Sequence, residues 1–418
     1  MTTHAAGHGG GAVPRPRRPP TAARHTAAPR WSRRSVLRAA GGGMLGLAVA
    51  GSGAAGYRAY DNGVFDADGG TAFDAWRHWR DDAGPLGMIA AAVLAASPHN
   101  TQPWVFRATG TRIGLWADPE RVLPSVDPYL REQHTGLGCA LENLVQAAAA
   151  RGYDATVTPW PDPADRLLAA RIDLRPAAVA ASDLYDAIGH RHSNRGPYSG
   201  AAVPERTLAR LTAVTSGLAP ARLVWITGAA ARARLGDLMV EAAEAVVADE
   251  AMSRDGFAWF RGDADAIEAH RDGLTLDGQG LSPVLLTAAK LLPATSRAKG
   301  DAFWVKQTRE VHTRTAAAYG LVLVPDPRNA AQQLTGGRLL QRLHLAATVA
   351  GLGLHHMNQI TERIDRDAHA GRPSPFGPRL ADVVGRPGIA VLASVRIGYP
   401  ERAGHRSPRR PAAAVSQR

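Results

Sequence analysis

Residues 97–104 constrain the fold more than any other part of this sequence. They read Ser-Pro-His-Asn-Thr-Gln-Pro-Trp and directly follow an Ala-rich stretch. Because proline fixes its own φ and pushes the preceding residue toward extended geometry, Pro98 and Pro103 predict a rigid, non-helical segment. The amides of Asn100 and Gln102 each offer two donors and an acceptor, so they could read the edge of a flat heterocycle. The alternative is a helix cap and turn that leads into a strand, with the tryptophan in the core.

Apolar periodicity around this segment predicts an α+β fold. Two Ala- and Leu-rich helices, each stopped by a glycine at Gly152 or Gly353, suggest two related halves. Residues 251–300 follow no regular pattern and contain several glycines, which suits a long connection or a lid. The predicted helices are 85–96, 136–151, 184–189, 230–249 and 336–352, and the predicted strands are 105–107, 112–116, 167–174, 222–227, 319–324 and 389–397.

The chain has 418 residues, of which 45% are hydrophobic and 21% charged, so it is a globular protein with a real core. Its net charge of +12 lies at the two ends, in residues 1–38 and 401–418, and the body between them is about neutral. No nucleic-acid partner is therefore expected. Cys139, the single cysteine, lies in an apolar helical stretch, where a buried small hydrophobe is favoured over a nucleophile.

Near the N-terminus, residues 32–38 read Ser-Arg-Arg-Ser-Val-Leu-Arg and precede an apolar, Gly-rich run from 39 to 56. This order predicts that residues 1–56 form a basic leader and a twin-arginine signal, read by the twin-arginine export machinery. The alternative is a disordered basic tail ahead of an ordinary helix. Export would place the protein outside the cytoplasm or at the membrane. Since this route carries folded proteins, often with a cofactor inserted, a tightly held organic cofactor is expected.

A second polar motif, residues 191–195, reads Arg-His-Ser-Asn-Arg and is followed by Pro197-Tyr198. Arginine offers a planar fork that suits phosphate, although a solvated basic loop is the alternative. A third basic segment follows the last predicted strand and contains Arg409 and Arg410. It could reach the same anion, or it could be a disordered tail.

These segments resemble those of the FMN-dependent nitroreductases. Residues 97–104 are similar to the family segment Ser-Pro-Ser-x-Asn-x-Gln-Pro-Trp, whose Asn contacts the flavin. Residues 191–195 are similar to Arg-[Arg/His]-Ser-x-[Lys/Arg], in which the first Arg and the Ser hold the FMN phosphate and the last base faces the ring. The resemblance therefore implies phosphate ligands at Arg191 and Ser193, and a cation at Arg195 near N1 and O2 of the ring. The full set of candidate FMN-binding residues is Ser97, Asn100, Gln102, Arg191, His192, Ser193, Arg195, Arg409 and Arg410.

The order of the two motifs is inverted relative to an ordinary nitroreductase, and neither has a second copy. This resembles the twin-domain branch of the family, in which one chain imitates the usual homodimer. The resemblance implies a nitroreductase-like fold with two related halves that form a pseudo-dimer around mixed sheets flanked by helices. The halves would be residues 74–180 and 183–400, with a lid-like insertion at 251–300 and a basic tail at 401–418. One FMN per chain and a monomer or weak dimer are expected.

The function implied by the resemblance is an FMN oxidoreductase that passes electrons to a nitroaromatic, a quinone or a similar small flat acceptor. No catalytic side chain is assigned, because the flavin itself carries the hydride. Export would separate the protein from cytoplasmic NAD(P)H, so a quinol or another redox partner would have to donate. The alternative is a non-enzymatic protein that stores or sequesters FMN beneath residues 251–300. His355-His356-Met357 lacks a spaced third ligand, so no metal is expected, and no paired-carboxylate pattern is visible.

Overall fold

A computed structural model of the chain describes residues 68–292, 295–385 and 390–417. The leader and twin-arginine signal predicted at residues 1–56 lie outside the described residues. The α-helices of the described part are α1 (Asp74–His78), α2 (Gly84–Ala92), α3 (Arg131–Ala150), α4 (Asp183–Ala187), α5 (Glu205–Ala213), α6 (Ala229–Ala248), α7 (Glu250–Ala258), α8 (Ala264–His270), α9 (Pro283–Leu291), α10 (Arg297–Gln307), α11 (Ala330–Val349), α12 (Gln359–His369), α13 (Phe376–Val384) and α14 (Ala412–Val415). The strands are β1 (Trp104–Thr109), β2 (Arg112–Ala117), β3 (Tyr153–Pro159), β4 (Leu168–Pro176), β5 (Arg222–Ile226), β6 (Phe260–Arg261), β7 (Leu274–Thr275), β8 (Ala318–Leu323), β9 (Gly353–His356), β10 (Val391–Gly398) and β11 (Ser416–Gln417).

Two sheets of four or more strands organise the described residues. The first has the order β11-β1-β2-β4-β3, and the second has the order β5-β8-β10-β9. Neighbouring strands are antiparallel except for β11, which lies parallel to β1 with Ser416 opposite Phe106. The end of the chain therefore returns to the sheet built from its first half. The predicted α+β fold is confirmed.

Helices α3 and α11 pack closely because glycines face backbone at their contact. A Cβ atom added to Gly138 would lie 2.1 Å from the carbonyl oxygen of Leu334, and one added to Gly337 would lie 2.1 Å from that of Thr135. Cys139 is buried here, as predicted, and its Sγ donates to the carbonyl oxygen of Gly337 at 3.3 Å. Residues of both helices and of both sheets belong to one hydrophobic core. The helix pair thus joins the first half of the chain to the second.

Both of these helices begin earlier than apolar spacing predicted, at Arg131 and Ala330 rather than at residues 136 and 336. Asp127 Oδ2 accepts the backbone N–H groups of Glu132 and Gln133 at 3.0 and 2.9 Å, so it satisfies the first turn of α3. The Asn329 side chain caps α11 in the same way. The polar first turns carry no apolar signal, which is why the prediction began too late.

The predicted irregularity of residues 251–300 is wrong, because this segment forms α7, α8, α9 and the start of α10. Three of these helices are short and capped by side chains, namely those of Asp249, Asp263 and Ser282. The alternative of a disordered C-terminal tail is also wrong for the described residues, since 401–417 pack on the body and end in β11. Other elements that the apolar pattern did not predict are α1, α5, α12, α13, α14, β3, β6, β7, β9 and β11.

Among the described residues, no helix combines the length and the hydropathy that a membrane crossing requires.

Candidate functional site

A cavity of about 830 Å³ brings together residues from both sequence motifs and from the C-terminal segment. This volume lies within the range of about 300–1,000 Å³ that is usual for small-molecule sites. Three of the predicted site residues, Gln102, His192 and Arg410, are not part of its wall. The predicted residues that line it are Ser97, Asn100, Arg191, Ser193, Arg195 and Arg409.

The first motif is held in an uncommon backbone conformation. His99, Asn100 and Gln102 have φ angles of 46°, 56° and 51°, in the left-handed region that non-glycine residues rarely adopt. Ser97 Oγ accepts the backbone N–H of Gln102 at 3.1 Å and closes the turn. Strain of this kind is retained where surrounding contacts enforce it, and it concentrates at functional sites.

Asn100 lies in the cavity wall, but its amide already has protein partners. Nδ2 donates to the carbonyl oxygens of Gly273 and Pro408, each at 3.0 Å, and Oδ1 accepts from Arg409. A ligand contact through this amide would require some of these bonds to be exchanged. The predicted contact of Asn100 with a flavin therefore stays a prediction.

Gln102 is fully buried and anchors two later segments instead of facing the cavity. Its Nε2 donates to the carbonyl oxygen of Arg271 at 2.8 Å, and its Oε1 accepts the backbone N–H of Arg410 at 2.9 Å. His192 is also turned away, with its Nε2 accepting the backbone N–H of Gly404 at 3.2 Å. Both side chains support the site from outside its wall.

Arg191 and Arg409 form a buried cationic pair, exposed by 2% and 3%. Arg191 donates to the carbonyl oxygen of Leu94 at 3.0 Å and Arg409 to that of Ala95 at 3.1 Å, while both Nε atoms lack a partner. Within the described ranges neither forms an ion pair with a carboxylate. Burial lowers the pKa of Arg191 to about 10 and that of Arg409 well below its usual value, the latter also because of the Arg191 charge. An anion in the cavity would relieve both effects.

Arg195 occupies a second part of the wall, beside a group of buried histidines. Its Nη1 donates to the carbonyl oxygen of Gly278 at 2.9 Å, and burial, followed by the Arg396 charge, lowers its pKa to about 10. Arg396 Nε donates to His355 Nδ1 at 3.0 Å. Burial lowers the pKa of His356 to about 3, and it lowers the pKa values of His312 and His355 well below normal, so these rings are neutral. Sequence inspection considered His355 and His356 only as metal ligands.

An acidic group that sequence analysis missed lines the same cavity. Glu132 of α3 and Glu362 of α12 lie close enough for their side chains to interact and are exposed by 6% and 9%. Burial raises the pKa of Glu132 to about 7 and that of Glu362 well above its usual value. The negative charges of Asp127 and Asp365 add to the rise for Glu132, and that of Glu132 adds to the rise for Glu362. The sequence shows no paired-carboxylate pattern, and the two side chains come together only in the folded chain. The two residues lie in different halves of the chain, so no local motif could reveal them.

The remaining wall is largely apolar and comes from residues 251–307. It includes four aromatic side chains, which suit stacking against a flat ligand. In the described part of the chain no group of His, Cys, Asp and Glu side chains is arranged to hold a metal ion. The apolar lining from this segment includes Phe257, Phe260, Leu274, Leu276, Leu281, Leu285, Phe303 and Trp304.

Comparison with known proteins relates part of the chain to nitroreductases by sequence. Over 138 residues it is 37% identical to a Mycobacterium tuberculosis H37Rv protein named "Putative NAD(P)H nitroreductase Rv3131", covering 32% of this chain and 40% of that one. Over 114 residues it is 36% identical to "Putative NAD(P)H nitroreductase acg" of the same organism, covering 27% and 34%. The chain thus spans about two fifths of the curated relatives it matches, or less. No family model matches it.

Solved structures give a weaker likeness. The FMN-dependent nitroreductase NfnB of Mycobacterium smegmatis, solved with NADPH, is 16% identical with a TM-score of 0.38, covering 56% of this chain and 97% of that one. A Bacteroides fragilis nitroreductase with bound FMN is 13% identical with a TM-score of 0.31, covering 53% and 89%. A shared fold does not follow from scores at this level. The sequence likeness to the two nitroreductases covers about a third of the chain or less.

Proposed function

We propose that this protein is an FMN-binding oxidoreductase of the nitroreductase type, which passes electrons through flavin to a nitroaromatic, a quinone or a similar flat acceptor. One observation carries the proposal. The two motifs that resemble nitroreductase segments lie far apart in the sequence, yet their side chains line one cavity together with Arg409. That cavity combines buried arginines whose Nε atoms lack a partner with an apolar, partly aromatic wall. Phosphate and a flat ring system are the two parts of FMN that such a wall fits.

The donor set fits FMN in detail. Arg191, Ser193 and Arg409 would hold the phosphate, since both arginines are buried and each has an unpartnered Nε. Arg195, beside the neutral histidines, would place a positive charge near the part of the ring that becomes anionic on reduction. When bound, FMN supplies the transfer of two electrons, and the protein supplies orientation and electrostatic stabilisation. Helices α3 and α11 carry wall residues from the two halves, which supports a single-chain pseudo-dimer with one flavin.

Reconstitution with FMN tests this proposal directly. We expect the purified chain to bind one FMN, to show a flavin absorption spectrum, and to lose that spectrum on reduction by dithionite or a quinol. Addition of a quinone or nitroaromatic should then restore it repeatedly. A chain that takes up no FMN at micromolar concentration would rule the proposal out.

Storage or sequestration of FMN is the second candidate, and one observation favours it. Helices α7, α9 and α10 contribute much of the cavity wall, so a bound ring would lie beneath them. The same experiment separates the two functions. Flavin that binds tightly but is neither reduced by a quinol nor reoxidised by an acceptor would indicate storage, whereas steady turnover would indicate the oxidoreductase.

We also propose that residues 1–56 direct export of the folded chain by the twin-arginine route. The support is the sequence Arg33-Arg34 followed by Val36, Leu37 and an apolar run. Replacing both arginines by lysine should retain the full-length protein in the cytoplasm of a host with this pathway, as followed by fractionation. Unchanged export of the Arg33→Lys/Arg34→Lys variant would contradict the route.

A further inference from the structure

Glu132 and Glu362 lie in the cavity wall but have no role in binding an anionic cofactor. If both carboxyl groups were ionised, they would repel such a cofactor. They project from different helices, α3 and α12, and their side chains lie close enough to interact within one cavity wall. Burial, together with the Glu132 charge, favours the protonated form of Glu362. When one of two such carboxyl groups carries the proton, it can donate a hydrogen bond to the other.

The surroundings of the pair disfavour its full ionisation. Arg131 is the cation nearest to it, but its Nε donates to Asp365 at 2.6 Å and its Nη1 donates to the carbonyl oxygen of Leu392 at 2.7 Å. Its Nη2 lies 3.5 Å from Glu132 Oε1, which accepts no hydrogen bond. Asp127 and Asp365 add negative charge that faces the pair. Arg131 is thus balanced largely by Asp365, and burial favours protonation of the pair.

We propose that Glu132 and Glu362 together hold one proton at the cavity wall and deliver it to a quinone acceptor bound beside them. This rests on the proposed function. Both side chains belong to the cavity wall, and Glu132 Oε1 accepts no hydrogen bond in the folded chain. The carboxyl pair then supplies the proton, and the basic part of the wall binds the anion.

The chemistry balances with the reduced cofactor as the reductant. A quinone becomes a hydroquinone by gaining two electrons and two protons, and a hydride supplies both electrons and one of those protons. The second proton leaves the carboxylic O–H bond as a new O–H bond forms on the hydroquinone. The carboxylate that remains regains its proton from solvent. A general acid placed in this way typically accelerates proton transfer by roughly 100- to 10,000-fold.

Infrared titration of the flavin-free full chain tests proton storage without reference to activity. The wild type should retain the carbonyl band of a protonated carboxylic acid at pH 6, and Glu132→Gln and Glu362→Gln should each remove it. Glu241→Gln is the matched control, since Glu241 lies outside the cavity wall and pairs on the surface with Arg379. A band that survives both cavity substitutions would overturn the proposal.

Stopped-flow reoxidation of the reduced, flavin-loaded protein tests delivery. With a quinone, both glutamine variants should react at least about 100-fold more slowly than wild type. With hexacyanoferrate(III), which takes electrons without a proton, they should react at the wild-type rate. A merely structural role would slow both acceptors alike, and that result, or no effect on either, would overturn the inference alone. A wild-type chain that binds no FMN would instead overturn the proposed function.

Discussion

Arg409 and Arg410 are neighbours in sequence with different environments. Arg409 is 3% exposed, lines the cavity and bonds to Asn100 and to the carbonyl oxygen of Ala95. Arg410 is not part of the wall, and its Nη1 lies 3.9 Å from Asp118. Because only Arg409 is placed to neutralise an anion in the cavity, the two side chains should differ in their effect on FMN binding.

Arg409→Gln is expected to weaken FMN binding by about 2–3 kcal/mol, the usual cost of losing a hydrogen bond to a charged group. Arg410→Gln, as the matched control, should change the affinity by less than about 0.5 kcal/mol. Fluorescence titration of FMN into each variant measures the difference. Equal losses in the two variants would show that the phosphate does not lie beside Arg409.

Sequence reasoning identified most of the basic wall of the site but none of its acidic part. Ser97, Asn100 and Arg191 stand out because each belongs to a short motif with an unusual composition. Glu132 and Glu362 belong to ordinary polar helix stretches, and only the packing of α3 beside α12 brings them together. Chemistry that depends on distant pairing is invisible to local patterns.

At the scale of elements, helices and strands with a local apolar pattern could be predicted, and those without one could not. Strands β8 and β10 are buried along their whole length and were predicted from their apolar runs to within a few residues. Strand β9 is short and contains two histidines, so it carries no strand signal, and only its pairing with β10 defines it. Helix α12 was missed because its buried face is polar, with Gln359, Glu362 and Asp365 among the buried residues.

The contact between α3 and α11 depends on the absence of a side chain at Gly337. In Gly337→Ala the new Cβ would lie 2.1 Å from the carbonyl oxygen of Thr135, which is backbone and cannot rotate away. We expect a loss of about 1–3 kcal/mol in the free energy of unfolding, as in other overpacked cores. Urea denaturation measures it.

Gly377→Ala is the control for helix propensity, because Gly377 lies in α13 with nothing within 4 Å of an added Cβ. That variant should be as stable as wild type, or more stable by up to about 1 kcal/mol. If Gly337→Ala also matched the wild type, the close approach of the two helices would be refuted.

The molecule as a whole buries many titratable groups around one cavity, and these groups act in opposite directions as pH changes. The histidines have lowered pKa values, to about 4 for His99 and about 3 for His356, chiefly through burial. The unfolded chain therefore binds protons below pH 6.5 that the native chain does not, so these histidines destabilise the fold as pH falls. Glu132, with its pKa raised to about 7, makes the native chain bind more protons between about pH 4.5 and 7. Its contribution to stability is thus lost as pH rises.

These opposing slopes can be separated by substitution. In the wild type, the unfolded chain takes up a proton on His356 below pH 6.5 that the folded chain does not, which costs about 1.4 kcal/mol of unfolding free energy per pH unit. His356→Gln removes this proton uptake. Its loss of unfolding free energy between pH 7 and pH 5 should therefore be smaller than that of the wild type by up to about 2 kcal/mol. The Glu132→Gln/Glu362→Gln double variant should lose more unfolding free energy than the wild type between pH 7 and pH 5, because it lacks the proton uptake that favours the folded chain in acid. Urea unfolding of the flavin-free protein at the two pH values measures both, with exposed His270→Gln as the control. If His356→Gln behaves like that control, the His356 ring is not held neutral in the fold, and the cavity wall carries a positive charge there that the contacts of the folded chain do not balance.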